Sequence, residues 1–253
     1  MRPKIMNDLV EDAVRIVERG KERGVTIRIM GAIAVRIHCQ EFQHLLSAME
    51  REITDMDFMT LSRFKKDIRD LLQNFGFVAN ERFISWHGKN RHIYNHEKLG
   101  AKVDVFFDKL EMCHTIDFRE RLEYDFPTIT LADLLLEKMQ IVRLTEKDIK
   151  DTIVLLREHE IGTTENETVN YKYISSILAD DWGFYYTVVN NLEKVRFSLD
   201  GYDALTNIDR SCVRERITKL IKYIDDEPKS LSWRLRAKVG IKKRWYTEVD
   251  EVR

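Results

Sequence analysis

Three aspartates have the type and spacing to bind metal ions. Asp55 and Asp57 are two residues apart in the segment 53–60 (I-T-D-M-D-F-M-T), whose alternation of apolar and polar residues predicts a β-strand. Because side chains alternate along a strand, both carboxylates are expected on the same face. They would repel each other there, and a divalent cation between them would remove that conflict. Magnesium is suited to the role because it prefers oxygen ligands.

Asp104 supplies a third carboxylate. It lies in the segment 102–107 (K-V-D-V-F-F), which reads as a short strand with a charge in an apolar setting. Such a charge is costly unless something of opposite charge pairs with it. If this strand lies beside the Asp55–Asp57 strand, the three acids form a two-metal site. Such a site activates an attacking hydroxyl and stabilises a leaving pyrophosphate.

A strand-to-helix turn at Gly31 completes the pattern. The segment 25–30 (V-T-I-R-I-M) predicts a strand, and 32–38 predicts a short helix. A glycine lets the backbone approach a phosphate, and the amino end of a helix offers unpaired N–H groups to an anion. Each feature alone has an ordinary explanation, as a solvated strand or a simple turn. Together and in this order they are typical of metal-dependent phosphoryl or nucleotidyl transfer.

The remaining patterns predict an α+β protein, with a small mixed β-sheet and flanking helices followed by an all-helical domain. In the first half we expect further helices at 6–17 and 64–75, and a hairpin of strands 77–86 and 91–96 around the turn 87–90. After Pro127 we expect helices only. They are predicted from Thr130 to about Arg143, from Thr145, where a capping-box signature stands, and at 171–180, 184–197 and 208–225. The expected domains are 1–126 and 127–253.

Composition points to a soluble protein without naming a partner. The 253 residues include 43 acidic and 42 basic side chains, so net charge indicates neither a nucleic-acid nor an acidic ligand. No apolar run approaches the length of a membrane span, and the start of the chain is charged rather than signal-like. Three scattered cysteines show neither disulfide nor zinc spacing. We therefore expect a cytoplasmic location and no membrane partner.

Three segments resemble the active-site motifs of the polymerase β nucleotidyltransferase superfamily. They are G-A-I-A-V-R-I-H (31–38), R-E-I-T-D-M-D-F (51–58) and K-V-D-V-F-F (102–107), within the first 110 residues or so. The helical segment 134–151 is similar to the second half of bacterial nucleotidyltransferases of the abortive-infection and toxin–antitoxin type. The resemblance implies a small mixed-sheet nucleotidyltransferase domain that uses Mg²⁺ or Mn²⁺ and a nucleoside triphosphate.

The resemblance also assigns residue roles. Asp55, Asp57 and Asp104 would be catalytic metal ligands, and the Gly31 and Ala32 N–H groups would hold the triphosphate. From the helical segment, it implies that Lys138 contacts phosphate and that Asp148 is a catalytic or substrate-positioning residue. Solvation of Lys138 and helix capping by Asp148 are the ordinary alternatives.

The pair Gly31-Ala32 departs from the superfamily, which usually has Gly-Gly or Gly-Ser at this point. The backbone N–H remains, but a serine hydroxyl donor is lost. One alternative is therefore a nucleotide-binding module without efficient chemistry. A nuclease that uses the same carboxylates is another.

The acceptor of the transferred nucleotide stays open. A tRNA, a protein side chain and a small hydroxylated antibiotic all remain candidates, and the resemblance adds a possible antitoxin protein as a partner. The segment 229–244 favours RNA because it contains seven basic residues and no acid, with aromatic residues in and just after it. The candidate nucleic-acid contacts in it are Arg234, Arg236, Lys242, Lys243 and Arg244. The alternative is a terminal helix that docks its Leu231, Leu235 and Val239 face on the protein.

Three histidines near the predicted hairpin carry a weaker signal. They are His87, His92 and His96, and the last two have the four-residue separation of helical zinc ligands. We expect them on a strand, with no acid or cysteine at fitting spacing. A metal site there is therefore not predicted.

Overall fold

The computed structural model describes residues 2–97 and 100–249 and shows a mixed α+β protein. Within these residues the chain forms eleven α-helices and nine β-strands. The helices are α1 (Arg2–Glu22), α2 (Gly31–His38), α3 (Gln43–Ala48), α4 (Lys65–Asn74), α5 (Glu81–His87), α6 (Leu131–Met139), α7 (Glu146–Glu158), α8 (Tyr171–Asp180), α9 (Trp182–Ser198), α10 (Asn207–Asp226) and α11 (Leu231–Val239). The strands are β1 (Ile27–Met30), β2 (Asp55–Thr60), β3 (Val78–Ala79), β4 (Arg91–His96), β5 (Ala101–Phe107), β6 (Lys109–Glu111), β7 (Thr115–Asp117), β8 (Glu160–Gly162) and β9 (Thr168–Asn170).

The chain divides into two compact units that interleave along the sequence. Unit 1 comprises Met1–His38, Glu52–Glu111 and Ile116–Thr130, and unit 2 comprises Cys39–Arg51, Met112–Thr115 and Leu131–Arg253. The chain passes into unit 2 for the last time at Leu131, four residues beyond the expected second domain's start at 127. Two short segments from the first half also belong to unit 2.

A five-stranded sheet forms the centre of unit 1. Its strand order is β1-β2-β5-β4-β3, with β2 and β5 parallel and the other neighbours antiparallel. The apolar residues that alternate with the aspartates of β2, Met56 and Phe58, are fully buried, as are Val103 and Val105 of β5. Helix α1 packs against β1, β2 and α4. Burial of this apolar face fixes the register and leaves the acids together on the other face.

The expected hairpin is wrong in its first strand. Only Val78–Ala79 pair with β4, and residues 81–87 form helix α5 instead. Asn80 caps this helix, since its side-chain oxygen accepts a hydrogen bond of 3.0 Å from the Phe83 N–H. The cap satisfies a backbone donor that a strand would have satisfied by pairing.

Helices α7, α8 and α10 pack together in unit 2, around fully buried side chains such as Leu155, Leu178 and Leu220. The capping box at Thr145 is confirmed, because the Thr145 hydroxyl accepts from the Asp148 N–H and the Asp148 carboxylate from the Thr145 N–H. The helices expected at 171–180, 184–197 and 208–225 are confirmed within two residues.

Two expectations for unit 2 are wrong. The segment after residue 127 is not all-helical, because β8 and β9 form a two-stranded parallel sheet. Each strand has only three residues, too few for an alternation to be visible in the sequence. Helix α6 ends at Met139 rather than near Arg143. At this end, the Asn191 side chain donates hydrogen bonds of 2.9 and 2.7 Å to the Met139 and Ile141 carbonyls.

Candidate metal-dependent active site

The three predicted metal ligands lie together in unit 1. Strands β2 and β5 are parallel neighbours, and Asp57 is aligned directly with Asp104. Asp55 lies two residues before Asp57, on the same face of β2. One carboxylate oxygen from each of the three lies within 4.8 Å of the others. The expectation that the two acidic strands are neighbours, with their carboxylates converging, is confirmed.

This cluster has the donor chemistry that a divalent cation needs. Its ligand atoms are carboxylate oxygens, which suit Mg²⁺ or Mn²⁺ better than softer metals. Asp104 is 2% exposed, whereas Asp55 and Asp57 are half-buried. Asp104 is therefore shielded from solvent, whereas the carboxylates of Asp55 and Asp57 are partly accessible. Within the described residues, these three aspartates are the one group of at least three Asp, Glu, His or Cys side chains close enough to hold a metal ion.

Two basic residues that the sequence reasoning missed neutralise Asp104. The Arg91 guanidinium lies 3.0 Å from its Oδ1, and the Lys102 Nζ lies 3.0 Å from its Oδ2. These ion pairs offset the desolvation free energy of the buried Asp104 carboxylate without a metal. They also bring positive charge to the acidic face. Lys102 could have been found in the sequence, since it precedes Asp104 by two residues, whereas Arg91 is brought close only by the pairing of β4 with β5.

Gly31 lies directly against the acidic cluster. Its φ of 69° is in the left-handed region that favours glycine. A Cβ at this position would overlap the Oδ2 of Asp57, so no other residue fits without a shift. Helix α2 begins here, and Ala32 is its second residue. The amino end of the helix therefore lies beside Asp57, as expected for a turn that could hold a phosphate near the metal ligands.

Lys138 lies in unit 2, where it is buried rather than solvated. It is 7% exposed, and its Nζ lies 3.2 Å from Asp151, 3.6 Å from Glu137 and 3.8 Å from Asp148. Burial by itself lowers the pKa of Lys138, but the carboxylates of Asp151, Glu137 and Asp148 outweigh it and the net change is a raised pKa. Lys138 is therefore held in its charged form within unit 2.

Asp151 is the main partner in this buried cluster, and sequence reasoning missed it. Its carboxylate is 1% exposed and accepts two hydrogen bonds from the Arg51 guanidinium, at 2.8 and 2.9 Å. Asp151 precedes the buried Leu155 by one helical turn, so the two residues share the buried face of α7. An acid at an apolar-face position was the sequence signal that could have identified it. Asp148 takes part in the capping box and also lies near Lys138, so it has both a structural contact and a place in the charged cluster.

The histidines that sequence analysis set aside have structural contacts. The His92 ring nitrogens lie 3.1 Å from the Gly88 carbonyl oxygen and 3.2 Å from the Tyr94 hydroxyl. Burial lowers the pKa of His92. His96 packs edge-on against Phe77, with ring centroids 5.1 Å apart.

The candidate nucleic-acid residues near the end of the chain differ in exposure. Arg234, Lys242, Lys243 and Arg244 are exposed, whereas Arg236 is half-buried and donates hydrogen bonds to three carbonyls of the segment 240–244. Arg236 therefore holds that segment in place. The alternative of a docked apolar face is wrong, because Leu231, Leu235 and Val239 are 66%, 55% and 41% exposed.

No described helix has the length and apolar character required to cross a membrane. The chain gives no significant match to protein-family models, curated proteins or solved structures.

Proposed function

We propose that this chain is a metal-dependent nucleotidyltransferase of the polymerase β type. The observation that carries the proposal is the convergence of Asp55, Asp57 and Asp104 on adjacent parallel strands, with Gly31 and the amino end of α2 against Asp57. A carboxylate cluster binds cations, and a helix amino end binds anions. Their proximity suits a ligand with both characters, such as a metal-bound nucleoside triphosphate.

In this proposal the residues divide the work by charge. Asp55 and Asp57 would hold two divalent cations, and Asp104 would hold one of them and accept the proton of the acceptor hydroxyl. The bound ions would supply electrostatic stabilisation of the charge that develops on the phosphates. The Gly31 and Ala32 N–H groups would bind the triphosphate. The acceptor oxygen forms a bond to the α-phosphorus, the bond from that phosphorus to the bridging oxygen breaks, and pyrophosphate leaves with the electron pair.

Arg91 and Lys102 support a polyanionic substrate. Three carboxylates and a triphosphate together carry more negative charge than two divalent cations cancel. The two basic side chains on Asp104 lie within reach of the same face and offset part of the excess. A cation that binds Asp104 would compete with them, and the released side chains could then pair with phosphate oxygens.

Lys138 and Asp148 remain proposed as nucleotide-binding and catalytic residues on the strength of the family resemblance. Their ion pairing in unit 2 gives Lys138 a structural role as well. A test of either residue therefore needs both a stability and a nucleotide-binding measurement.

The test follows an α-phosphate label. The protein is incubated with each α-labelled nucleoside triphosphate and magnesium, in separate reactions with total RNA, total protein or a panel of hydroxylated antibiotics. We expect label on one acceptor class, release of pyrophosphate, and loss of both in Asp57→Asn. RNA is the acceptor we expect.

The rival functions give different results in the same experiment. Triphosphate binding without label transfer would indicate a non-catalytic nucleotide-binding module, which the Ala32 position motivates. Cleavage of RNA in the absence of any triphosphate would indicate a nuclease built on the same carboxylates. Either outcome would overturn the proposed transfer.

A further inference from the structure

A cavity of about 230 Å³ lies in unit 2 between α9 and the segment that follows α11. Its lining combines aromatic rings, side-chain amides and a lysine. The lining includes Tyr186, Asn190, Asn191, Lys194 and Trp245. The proposed chemistry at the aspartate cluster uses none of them.

Trp245 forms a fixed wall of this cavity. Its indole Nε1 donates a hydrogen bond of 3.0 Å to the Thr187 hydroxyl oxygen, and its ring meets Tyr186 edge to face at 5.2 Å. Two residues further on, the Thr247 N–H donates to the Cys113 carbonyl at 3.0 Å. The corner formed by the two rings is therefore built before any ligand arrives. A flat ring that enters it would stack on one side chain and meet the edge of the other.

The polar lining separates into structural and available groups. Asn191 is 1% exposed and donates to the Met139 and Ile141 carbonyls, while its side-chain oxygen accepts from the Lys194 Nζ at 3.0 Å. Lys194 is exposed, and an ammonium has three N–H donors, so donors remain for a ligand. Asn190 is also exposed; its Nδ2 donates to the Tyr186 carbonyl at 2.6 Å, which leaves its second N–H and its side-chain oxygen for a base edge.

Positive charge continues from the cavity along the chain. Lys242, Lys243 and Arg244 directly precede Trp245, and all three are exposed. Arg244 is ion-paired with Glu248 at 3.0 Å, so the two lysines are the groups offered to a ligand. The Arg236 guanidinium donates to the Lys243 and Arg244 carbonyls at 2.8 and 3.3 Å, so the backbone is held while these side chains reach the surface. A backbone of phosphates could follow this segment with one base in the cavity.

We infer that this cavity binds one nucleotide of a single-stranded nucleic acid. The base occupies the corner of Tyr186 and Trp245, and the phosphates pair with Lys194, Lys242 and Lys243. An aromatic corner beside a cationic track is the combination that single strands require, because bases stack and phosphates need positive charge. The inference deepens the proposed function by assigning an acceptor-binding surface, and the choice of a nucleic acid as ligand rests on that function.

The test measures binding of a labelled 12-nucleotide single strand by fluorescence anisotropy, in EDTA and without triphosphate. RNA and DNA of the same sequence form two arms, and an RNA with abasic positions forms a third. We expect binding of intact strands, at least fivefold weaker binding of the abasic strand, and tighter binding of RNA if its 2′-hydroxyl is recognised. Equal binding of RNA and DNA would show that the site recognises only the phosphates and bases that both share, and would still support the inference.

Variants locate the binding. Lys194→Ala should weaken it at least threefold and reduce the dependence of log K on log salt by about 0.7, the value for one phosphate contact on a single strand. Trp245→Leu should weaken it at least fivefold, and Trp245→Phe, which keeps a ring, should recover most of the affinity. Lys222→Ala removes an exposed lysine of α10 in the same unit and should leave binding unchanged.

The inference fails if the wild type binds no strand in EDTA, or if Lys194→Ala and Trp245→Leu bind as the wild type does. Asp57→Asn separates the two proposals. It should bind the strand normally even though it transfers no label. If the wild type transfers no label but binds the strand, the proposed function is overturned, and the measured binding then supports this site independently of it.

Discussion

Asp57→Asn in the acidic cluster should change the free energy of unfolding in opposite directions without and with bound metal and nucleotide. In the absence of metal, Asp57→Asn removes one of three carboxylates that lie within 4.8 Å of one another. Two unit charges at that separation repel by about 3 kcal/mol at an effective dielectric constant of about 20. Because Arg91 and Lys102 already offset Asp104, the repulsion from Asp55 is the larger part that is relieved.

Solvent screening reduces that figure, since Asp55 and Asp57 are only half-buried. We therefore expect Asp57→Asn to raise the free energy of unfolding by about 1 kcal/mol in EDTA. With magnesium and a nucleoside triphosphate at about 100 times the dissociation constant, the wild type should gain about 2.7 kcal/mol and the variant nothing. The order of stability is thus reversed by the ligand.

Urea denaturation followed by circular dichroism measures both values. Asp70→Asn, an exposed aspartate of α4 in the same unit, is the matched control and should change neither. The reasoning is refuted if Asp57→Asn is destabilised in EDTA, or if it gains as much as the wild type from magnesium and triphosphate.

Three further substitutions test other parts of the structure. Lys138→Ala should lower the free energy of unfolding by about 2 kcal/mol, because Asp151 loses one buried partner at 3.2 Å and keeps Arg51. It should also weaken triphosphate binding at least tenfold, and stability equal to that of the wild type in urea would contradict the buried ion pair. Gly31→Ala should abolish the stabilisation by magnesium and triphosphate in a thermal melt, because its Cβ overlaps Asp57, and wild-type stabilisation would show that the turn can shift. His114 is a buried residue of unit 2 whose Nε2 lies 2.8 Å from the Thr187 hydroxyl. Burial lowers its pKa to about 4, below its unfolded value, so its contribution to stability is complete above pH 6.5 and is lost as the pH falls towards 4. The wild type should therefore lose about 2 kcal/mol more than His114→Gln between pH 7 and 5, and parallel pH profiles would argue against this assignment.

Local patterns in the sequence were sufficient for much of the candidate site. Alternation identified β2 and with it the shared face of Asp55 and Asp57, and a short apolar run around one charge identified β5. The glycine between a strand and a helix identified the turn at Gly31. These inferences worked because strand periodicity and glycine conformation are properties of neighbouring residues, which a sequence displays directly.

Other local signals were present but outweighed. The run 77–86 is rich in aromatic and apolar residues and suggested a strand, whereas the Asn80 cap and the pairing of only two residues with β4 decided for a helix. Helix α6 stops at Met139, and the Asn191 side chain, fifty-two residues away, donates to the carbonyl of that last residue. Neither competition can be weighed from the segment alone, because one of the competing partners is distant in the chain.

The sequence by itself determined which carboxylate and basic side chains the protein has, which of them share a face of the main strands, and where the main helices of the second half lie. Only the tertiary structure decided which charges meet. It aligned Asp57 with Asp104, brought Arg91 to Asp104, and buried Lys138 against Asp151. The physical reason is that an ion pair depends on the distance between two side chains, and that distance is set by the packing of whole elements rather than by the spacing of residues along the chain.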